Sequence, residues 1–350
     1  MSNIIRVGII GLGRSGRDIH GDYLSSASRK YAIVAVADRL AERRQRAETE
    51  YGCRSYATPE RLLAQDDIDL IVNLTPVESH FETNLRILES GKHVYSEKPL
   101  ALTAASGAIL LAKAERSGLS IACAPDTLLG SGFQAGRRAL DGGLIGRPVA
   151  GFASMLRPLP ALARHRAGAM PLFNMAPYYV SALVNLFGCA TSVSGISRLA
   201  SVAPHADEST VFTSCTIRFL DDVLCSLTLR WGDMPSAEVS VLQVLGTEGV
   251  LSLPNPDTFL PSAYWRKHGD STWQEVQGAS RHGDQELNLR GIGVLDLAQS
   301  IREGRRPRAA ADVALHVVEI IETLSLPDRV TAGVGGQLQS TCSKPSVWSL

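Results

Sequence analysis

Three glycines near the start of the chain, Gly11, Gly13 and Gly16, have the spacing that cradles a phosphate. They follow the apolar, β-branched run Ile4 to Ile10 and precede a stretch from Arg17 to about Ala27 that reads as a helix. Strand, tight turn and helix in that order form the setting of a dinucleotide site. Gly11 makes the turn, Gly13 lets backbone approach a pyrophosphate, and Gly16 lets helix and strand pack closely. Leu12, Arg14 and Ser15 supply the remaining backbone of the cradle. The phosphates would rest on the helix N-terminus, where N–H groups and the helix dipole favour negative charge. Asp38 stands 22 positions after Gly16, where such folds place the acid that grips the adenosine ribose hydroxyls. It also stands where a cap belongs for a helix over Leu40 to Tyr51, and the two roles are compatible. Arg39, next to it, can lie over the adenine or bind a 2′-phosphate. Asp38 therefore favours NAD, and Arg39 keeps NADP open.

Strands and helices must carry these groups to one place. Tyr31 to Ala37 reads as a second buried strand, Ile68 to Leu74 as a third and His93 to Tyr95 as a fourth, with Leu119 to Ala124 after them. Helices intervene: Pro59 onward after the cap Thr58, Glu78 to Glu89 with His80 near its start, and Ala104 to Ser117. This alternation predicts a doubly wound parallel sheet with helices on its faces. Ligands bind beyond the carboxyl ends of such strands. The glycine turn, Asp38, Thr75-Pro76, Glu97-Lys98-Pro99 and Pro125-Asp126-Thr127 all fall at that edge. Asp126 there either hydrogen-bonds substrate hydroxyls or caps the turn that follows.

From Val149 the pattern changes to alternating segments: Val149 to Met155, Val193 to Ala200, Thr210 to Phe219, Val223 to Trp231, Glu238 to Leu245 and Val250 to Leu253. They predict an open, predominantly antiparallel sheet domain with helices on one face. Those helices read as Pro171 to Phe187, Leu287 to Glu303 and Ala309 to Thr323. The expected organisation is an α/β domain over 1–125, an α+β sheet domain over 126–325 and a loose polar tail over 326–350, with the helix 309–323 free to pack back on the first domain. Apolar side chains on an uncovered sheet face call for a partner, so a homodimer or homotetramer is expected.

Composition narrows the classes. Lys+Arg and Asp+Glu are both 35, which argues against a nucleic-acid partner. No apolar run reaches membrane-spanning length and no signal sequence opens the chain. Six cysteines occur without a C-x-x-C pair or zinc spacing, so no metal site is expected. They read as reduced thiols of a cytoplasmic protein.

Taken together, Gly11-Leu12-Gly13-x-x-Gly16, Asp38, Thr75-Pro76 with His80, and above all Gly91-Lys92-His93-Val94-Tyr95-Ser96-Glu97-Lys98-Pro99 resemble the glucose–fructose oxidoreductase / inositol dehydrogenase (Gfo/Idh/MocA) family. Gly246-Thr247-Glu248-Gly249 and Gly304-Arg305-Arg306-Pro307 match later landmarks, so the resemblance spans roughly residues 4 to 325. It implies a Rossmann domain binding NAD or NADP, followed by an open-faced sheet domain. It also implies hydride transfer on a sugar, cyclitol or related carbinol. Lys98 matches the family's lysine, which lies between nicotinamide and substrate; alternatively it binds ribose or closes the turn before Pro99. Glu97, Thr75, Pro76 and His80 are implied on the cofactor side.

The family's second catalytic segment, Asp-x-Gly-x-His, reads here Asn174-Met175-Ala176-Pro177-Tyr178, with Tyr179 following. One branch has Asp-Met-Gly-Pro-Tyr-Tyr, so Tyr178 is a branch feature, whereas Asn174 and Ala176 depart from it. Asn can neither accept a proton nor carry charge. The expectation is that Lys98 and Tyr178 share the acid/base work, since an ammonium beside a phenol favours the phenolate. Asn174, Asp126 and Tyr179 would contact substrate. The basic Arg164-His165-Arg166 and the loss of the acid at 174 motivate a second reading: a cofactor-binding protein without net redox chemistry, acting as a sensor, a regulatory subunit or a non-redox enzyme.

Overall fold

The computed structural model describes residues 4–13, 31–158, 170–201, 209–232, 239–276, 289–325 and 334–347. The chain forms two compact units, 1–129 with 288–318, and 130–287 with 319–350.

The first unit carries a six-stranded sheet. Its chain order is β1 (Ile5–Ile10), β2 (Tyr31–Ala37), α1 (Ala41–Tyr51), β3 (Arg54–Tyr56), α2 (Pro59–Leu63), β4 (Leu70–Asn73), α3 (His80–Glu89), β5 (His93–Ser96), α4 (Ala104–Arg116) and β6 (Ile121–Cys123). The strands lie in the order β3-β2-β1-β4-β5-β6, every pair parallel. Order reverses between β1 and β4, and that is the switch point where such sheets take ligands. Both faces are buried, which is why the strands read as continuous apolar runs. Val7, Ile9, Leu70, Val72, Tyr95 and Ala122 form one face. Ile10, Ala35, Ile71, Val94 and Ile121 form the other, under Ile87 and Leu88 of α3 and Leu110 of α4.

The second unit holds α5 (Ser131–Asp141), β7 (Pro148–Pro158), α6 (Met170–Phe187), β8 (Ala190–Ser201), β9 (Ser209–Phe219), β10 (Leu224–Gly232), β11 (Val239–Gly246), β12 (Gly249–Ser252), β13 (Tyr264–Lys267), β14 (Gln274–Glu275) and β15 (Val334–Gln337). Its nine strands run β14-β13-β12-β11-β7-β10-β9-β8-β15. All pairs are antiparallel except β7 with β10. Alternation sends Cys225, Leu227 and Leu229 inward, toward α6, and Ser226 and Thr228 outward. Phe187 of α6 packs on Phe219, with ring centroids 5.3 Å apart.

Two helices then follow, α7 (Ile292–Glu303) and α8 (Ala311–Ser325). Sequence reading put α7 in the second unit and began it at Leu287. It belongs to the first unit, with Val294, Leu297 and Ala298 buried against Tyr95 and Ala122, and it begins after Gly291, whose φ of 109° no L residue adopts readily. Val318 of α8 buries on the opposite face. The tail also departs from the loose segment expected. Val334–Gln337 pairs with β8, because glycines and small side chains suit an edge strand as well as a flexible tail. The expected helix from Arg17 to Ala27 lies outside the described residues.

Candidate active site

The glycine turn leaves β1 with Gly11 at φ 93°, and its N–H donates to Ala37 O at 2.9 Å. A Cβ at Gly11 would fall 2.7 Å from Leu74 O, so only glycine fits. Among the described residues, a Cβ at Gly13 would meet only the Arg43 guanidinium, at 3.7 Å. The described part of the turn thus leaves room for a ligand at the Gly13 backbone, with a cation beside it. Arg14, Ser15 and Gly16 lie outside the described residues.

Asp38 organises the neighbouring strand end. Its Oδ2 accepts from Leu12 N at 2.8 Å and its Oδ1 from Leu40 N at 2.9 Å. The carboxylate faces the glycine turn, but it does not cap α1 as the cap reading expected. The helix N-cap is Leu40 and has no side-chain cap, and Asp38 closes a local turn onto Leu40 N just before the helix. Each oxygen keeps a second lone pair for a ribose hydroxyl. Arg43 Nη1 stands 3.5 Å from Oδ2. Arg39 is exposed, and Arg44 locks the loop by donating to Asp38 O and Arg39 O. Sequence reasoning named Arg39 and missed Arg43. The available signal was its place in the first turn of α1, since helical side chains lean toward the helix N-terminus.

The ends of β4 and β5 are joined by buried polar groups. Asn73 Oδ1 accepts from Thr75 N and Oγ1, while Asn73 Nδ2 donates to Asn84 Oδ1 at 2.8 Å. Asn84 Nδ2 donates to Ser96 Oγ at 2.9 Å, and Ser96 Oγ donates to Glu97 O. His80 is 2% exposed. Its Nδ1 faces Pro99 O at 2.7 Å and its Nε2 faces Thr75 O at 2.9 Å. Both partners are acceptors, so each neutral tautomer donates to one of them. His80 thus ties the turn at Thr75-Pro76 to the turn at Lys98-Pro99. This corrects its assignment to the cofactor: the imidazole is consumed by backbone. Glu97 is also buried and accepts from Lys98 N at 2.9 Å. From Val94 to Ala101 every residue is buried except Lys98, so the chain offers one side chain from this turn.

Asp126 is corrected as well. It is 1% exposed, and its Oδ2 accepts from Gly291 N at 2.7 Å and Gly293 N at 3.4 Å. It caps α7, a remote helix that no local pattern reveals, rather than meeting substrate. Its Oδ1 and the Tyr95 hydroxyl are both buried without a hydrogen-bond partner among the described residues. Burial, with the Asp126 and Glu97 carboxylates, holds the Tyr95 phenol well above its ordinary range.

In the second unit Asn174 is exposed, whereas Tyr178, one turn along α6, is buried. Tyr179 is 1% exposed; its hydroxyl pairs with Ser240 Oγ at 2.7 Å and donates to Asn255 Oδ1 at 3.3 Å. That removes it from direct substrate contact. Tyr179, Met175, Ser240 and Asn255 line a small cleft with Arg157 and Asp257, whose ion pair measures 2.7 Å. Nothing local in sequence marked Arg157 and Asp257 as a pair, because 100 residues separate them.

Residues 5–124 match the family described as "Oxidoreductase family, NAD-binding Rossmann fold", and residues 133–252 match the "GFO/IDH/MocA C-terminal domain". The chain belongs to the Gfo/Idh/MocA family. Like that family it is an NAD(P)-dependent oxidoreductase built on a Rossmann domain and an open sheet domain. It is 26% identical over 263 residues to the scyllo-inositol 2-dehydrogenase (NAD(+)) of Bacillus subtilis, covering 71% of this chain and 73% of that protein. It is 30% identical over 142 residues to the inositol 2-dehydrogenase of Rhizobium meliloti, covering 41% and 42%. An NAD binding oxidoreductase from Klebsiella pneumoniae shares the fold, with TM-score 0.81 at 17% identity over 97% of this chain and 100% of that one. No helix among the described residues of this Gfo/Idh/MocA protein is long and apolar enough to cross a membrane.

Proposed function

We propose that this protein is a dehydrogenase or reductase for a sugar, cyclitol or related carbinol, with Lys98 handling the hydroxyl proton. The observation that carries this reading is the β5 end, where buried groups fix Glu97, Pro99 and Leu100 and Lys98 is the one partly exposed residue from Val94 to Ala101. The residues fit the dinucleotide: open backbone at Gly13, the Asp38 carboxylate for ribose, and Arg43 and Arg39 for phosphate charge. When bound, the nicotinamide exchanges a hydride with the carbinol carbon. The chain's own part is the proton. Removing hydride from a carbinol requires loss of the hydroxyl proton in the same event. Lys98 donates a hydrogen bond to the reacting oxygen and, with Tyr178 as partner, relays that proton. Asn174, exposed at the start of α6, orients a substrate hydroxyl without accepting its proton. The inositol dehydrogenases among the relatives support the substrate class.

A panel of neutral sugars and cyclitols, each with NAD and with NADP, tests this by nicotinamide absorbance. Turnover of at least one member, lost in Lys98→Met and reduced about a hundredfold in Tyr178→Phe, is the expected outcome. Full turnover in Lys98→Met would overturn the reading in favour of a non-redox protein.

The reading extends to a homodimer or homotetramer paired through the outer sheet face, where Phe152, Ile196 and Phe212 are 47%, 45% and 42% exposed. Aromatic and aliphatic groups among serines and threonines, with Arg230 opposite Phe212, make a surface suited to a second copy. Light scattering of Phe152→Arg should show smaller particles than the parent; a parent already monomeric would refute the pairing. A cytoplasmic location is part of the same proposal, supported by Cys123, Cys215 and Cys225 being buried without disulfide partners among the described residues.

A further inference from the structure

The C-terminal segment lies along the second unit as a strap. Beyond β15, Leu338 N donates to Thr191 O at 3.1 Å. The Glu319 carboxylate accepts from Gln339 N at 2.6 Å and Ser340 N at 2.9 Å, and also from the Ser340 hydroxyl. Lys344 pairs with Asp141 at 2.7 Å, and Arg137 donates to Pro345 O at 3.0 Å. Between these anchors sits Cys342. Opposite it is Cys189, just after α6, where the chain turns at Gly188 with φ 84°. The two backbones approach closely: a Cβ at Gly188 would lie 3.8 Å from Lys344 Cβ. Cys189 Sγ is 3.8 Å from Ser340 O, and the sulfur atoms of Cys189 and Cys342 lie within 4.8 Å of each other.

The other cysteines differ from this pair. Cys123, Cys215 and Cys225 are buried. Burial pushes the thiols of Cys215 and Cys225 up to about 12 and that of Cys53 to about 11, so they stay protonated and unreactive. Cys189 and Cys342 are both half-buried and reach solvent.

We propose that Cys189 and Cys342 are a modification site at which a small-molecule disulfide installs an intramolecular disulfide, stapling the strap to the second unit. Closure from a sulfur separation within 4.8 Å to a bonded S–S length of about 2.05 Å calls for side-chain rotation with the strap's anchors kept in place. In the first step one thiolate attacks a sulfur of oxidised glutathione, forming a mixed disulfide and expelling a glutathione thiolate. In the second, the other thiolate attacks the protein-bound sulfur, forming the Cys189–Cys342 bond and expelling the second glutathione thiolate. The two protein sulfurs are oxidised by two electrons, the glutathione disulfide is reduced by two, and the two thiol protons leave on glutathione. The closed loop spans 153 positions, which puts it among the long loops whose closure most restricts the unfolded chain.

The test uses the full chain, reduced and then incubated with oxidised glutathione. Titratable thiols under denaturing conditions should fall from six to four. Trypsin should yield peptide 167–198 linked to peptide 330–350, the link vanishing on reduction. Amides of Gln339 and Ser340 should exchange about tenfold more slowly in the oxidised protein. Cys189→Ser and Cys342→Ser, both at partly exposed positions, should each gain at most one glutathione and show no slowing. Retention of all six thiols, glutathione on each cysteine without a linked peptide, or a link through a different pair would overturn the proposal. So would thiols that react only after a chelator is added, which would make them metal ligands.

Discussion

Replacing His80 by Ala separates a positioning role from a cofactor contact. The imidazole bridges Thr75 O and Pro99 O at 2.9 and 2.7 Å inside the protein. Its removal forfeits a net hydrogen bond, about 1 kcal/mol, and leaves a buried carbonyl unpaired, about 1–3 kcal/mol. The emptied ring volume adds about 1–2 kcal/mol, because packed surroundings collapse only partly. The sum is about 3–6 kcal/mol, and it falls on the first unit, which holds His80, Thr75 and Pro99. No tryptophan occurs in residues 1–129 or 288–318; all four, Trp231, Trp265, Trp273 and Trp348, lie elsewhere in the sequence. Their emission in a urea titration therefore serves as an internal control, while hydrogen exchange at Val94 and Tyr95 reads the first unit. His80→Ala should accelerate that exchange a hundredfold or more and should lower kcat more than it raises the KM for substrate, because Lys98 loses its fixed backbone. Unchanged exchange with weakened NAD binding would refute the positioning role and return His80 to the cofactor.

Arg43→Ala should weaken NADP binding by about tenfold to a hundredfold, the loss of one charge-assisted hydrogen bond, and leave NAD within a few-fold; calorimetry with both cofactors decides it. Gly11→Ala should abolish dinucleotide binding and cost about 1–3 kcal/mol from positive φ alone, with the clash against Leu74 O added; normal NAD affinity would contradict the turn geometry. Asp69 is held below the ordinary carboxylate range by the Arg6 guanidinium, which grips it at 2.6 and 3.0 Å. A depressed folded pKa stabilises above the unfolded value near 4 and is lost as pH falls through the folded one. Asp69→Asn should accordingly lower the thermal midpoint at pH 7, and the gap should close below about pH 4; a gap that widens in acid would refute the linkage.

The first unit was the more legible half of the sequence. Its strands are buried on both faces and punctuated by Gly, Pro and Asp, so β2 was read to the residue and β1, β4 and β5 to within two residues. Site readings failed where a side chain's partner is distant in sequence. Asp126 meets backbone 165 positions away, and Arg157 meets Asp257 across 100; periodicity carries no information on such pairs. His80 failed differently. Its position was right, but a motif names the residue and not the direction in which its ring points. Arg43 was passed over because the acid before α1 drew attention to Arg39 rather than to the helix turn behind it. Strands β3, β14 and β15 escaped because they are short edge strands without a clean alternation, and the four-residue β13 beside β14 escaped with them.

The return of α7 to the first unit has a consequence for the order of assembly. Val294, Leu297 and Ala298 complete the face that Tyr95 and Ala122 share, and the cap between Asp126 and Gly291 needs both ends of the chain. Residues 1–129 therefore leave the ribosome with the part of that face taken by α7 still uncovered, and the missing helix follows only after the whole of 130–287. At bacterial or eukaryotic elongation rates of roughly 5–20 residues per second, that wait lasts about 10–30 s. The half that binds the nucleotide is begun first and is completed only after 130–287 have been made, and a nascent chain arrested before residue 288 has no complete nucleotide domain.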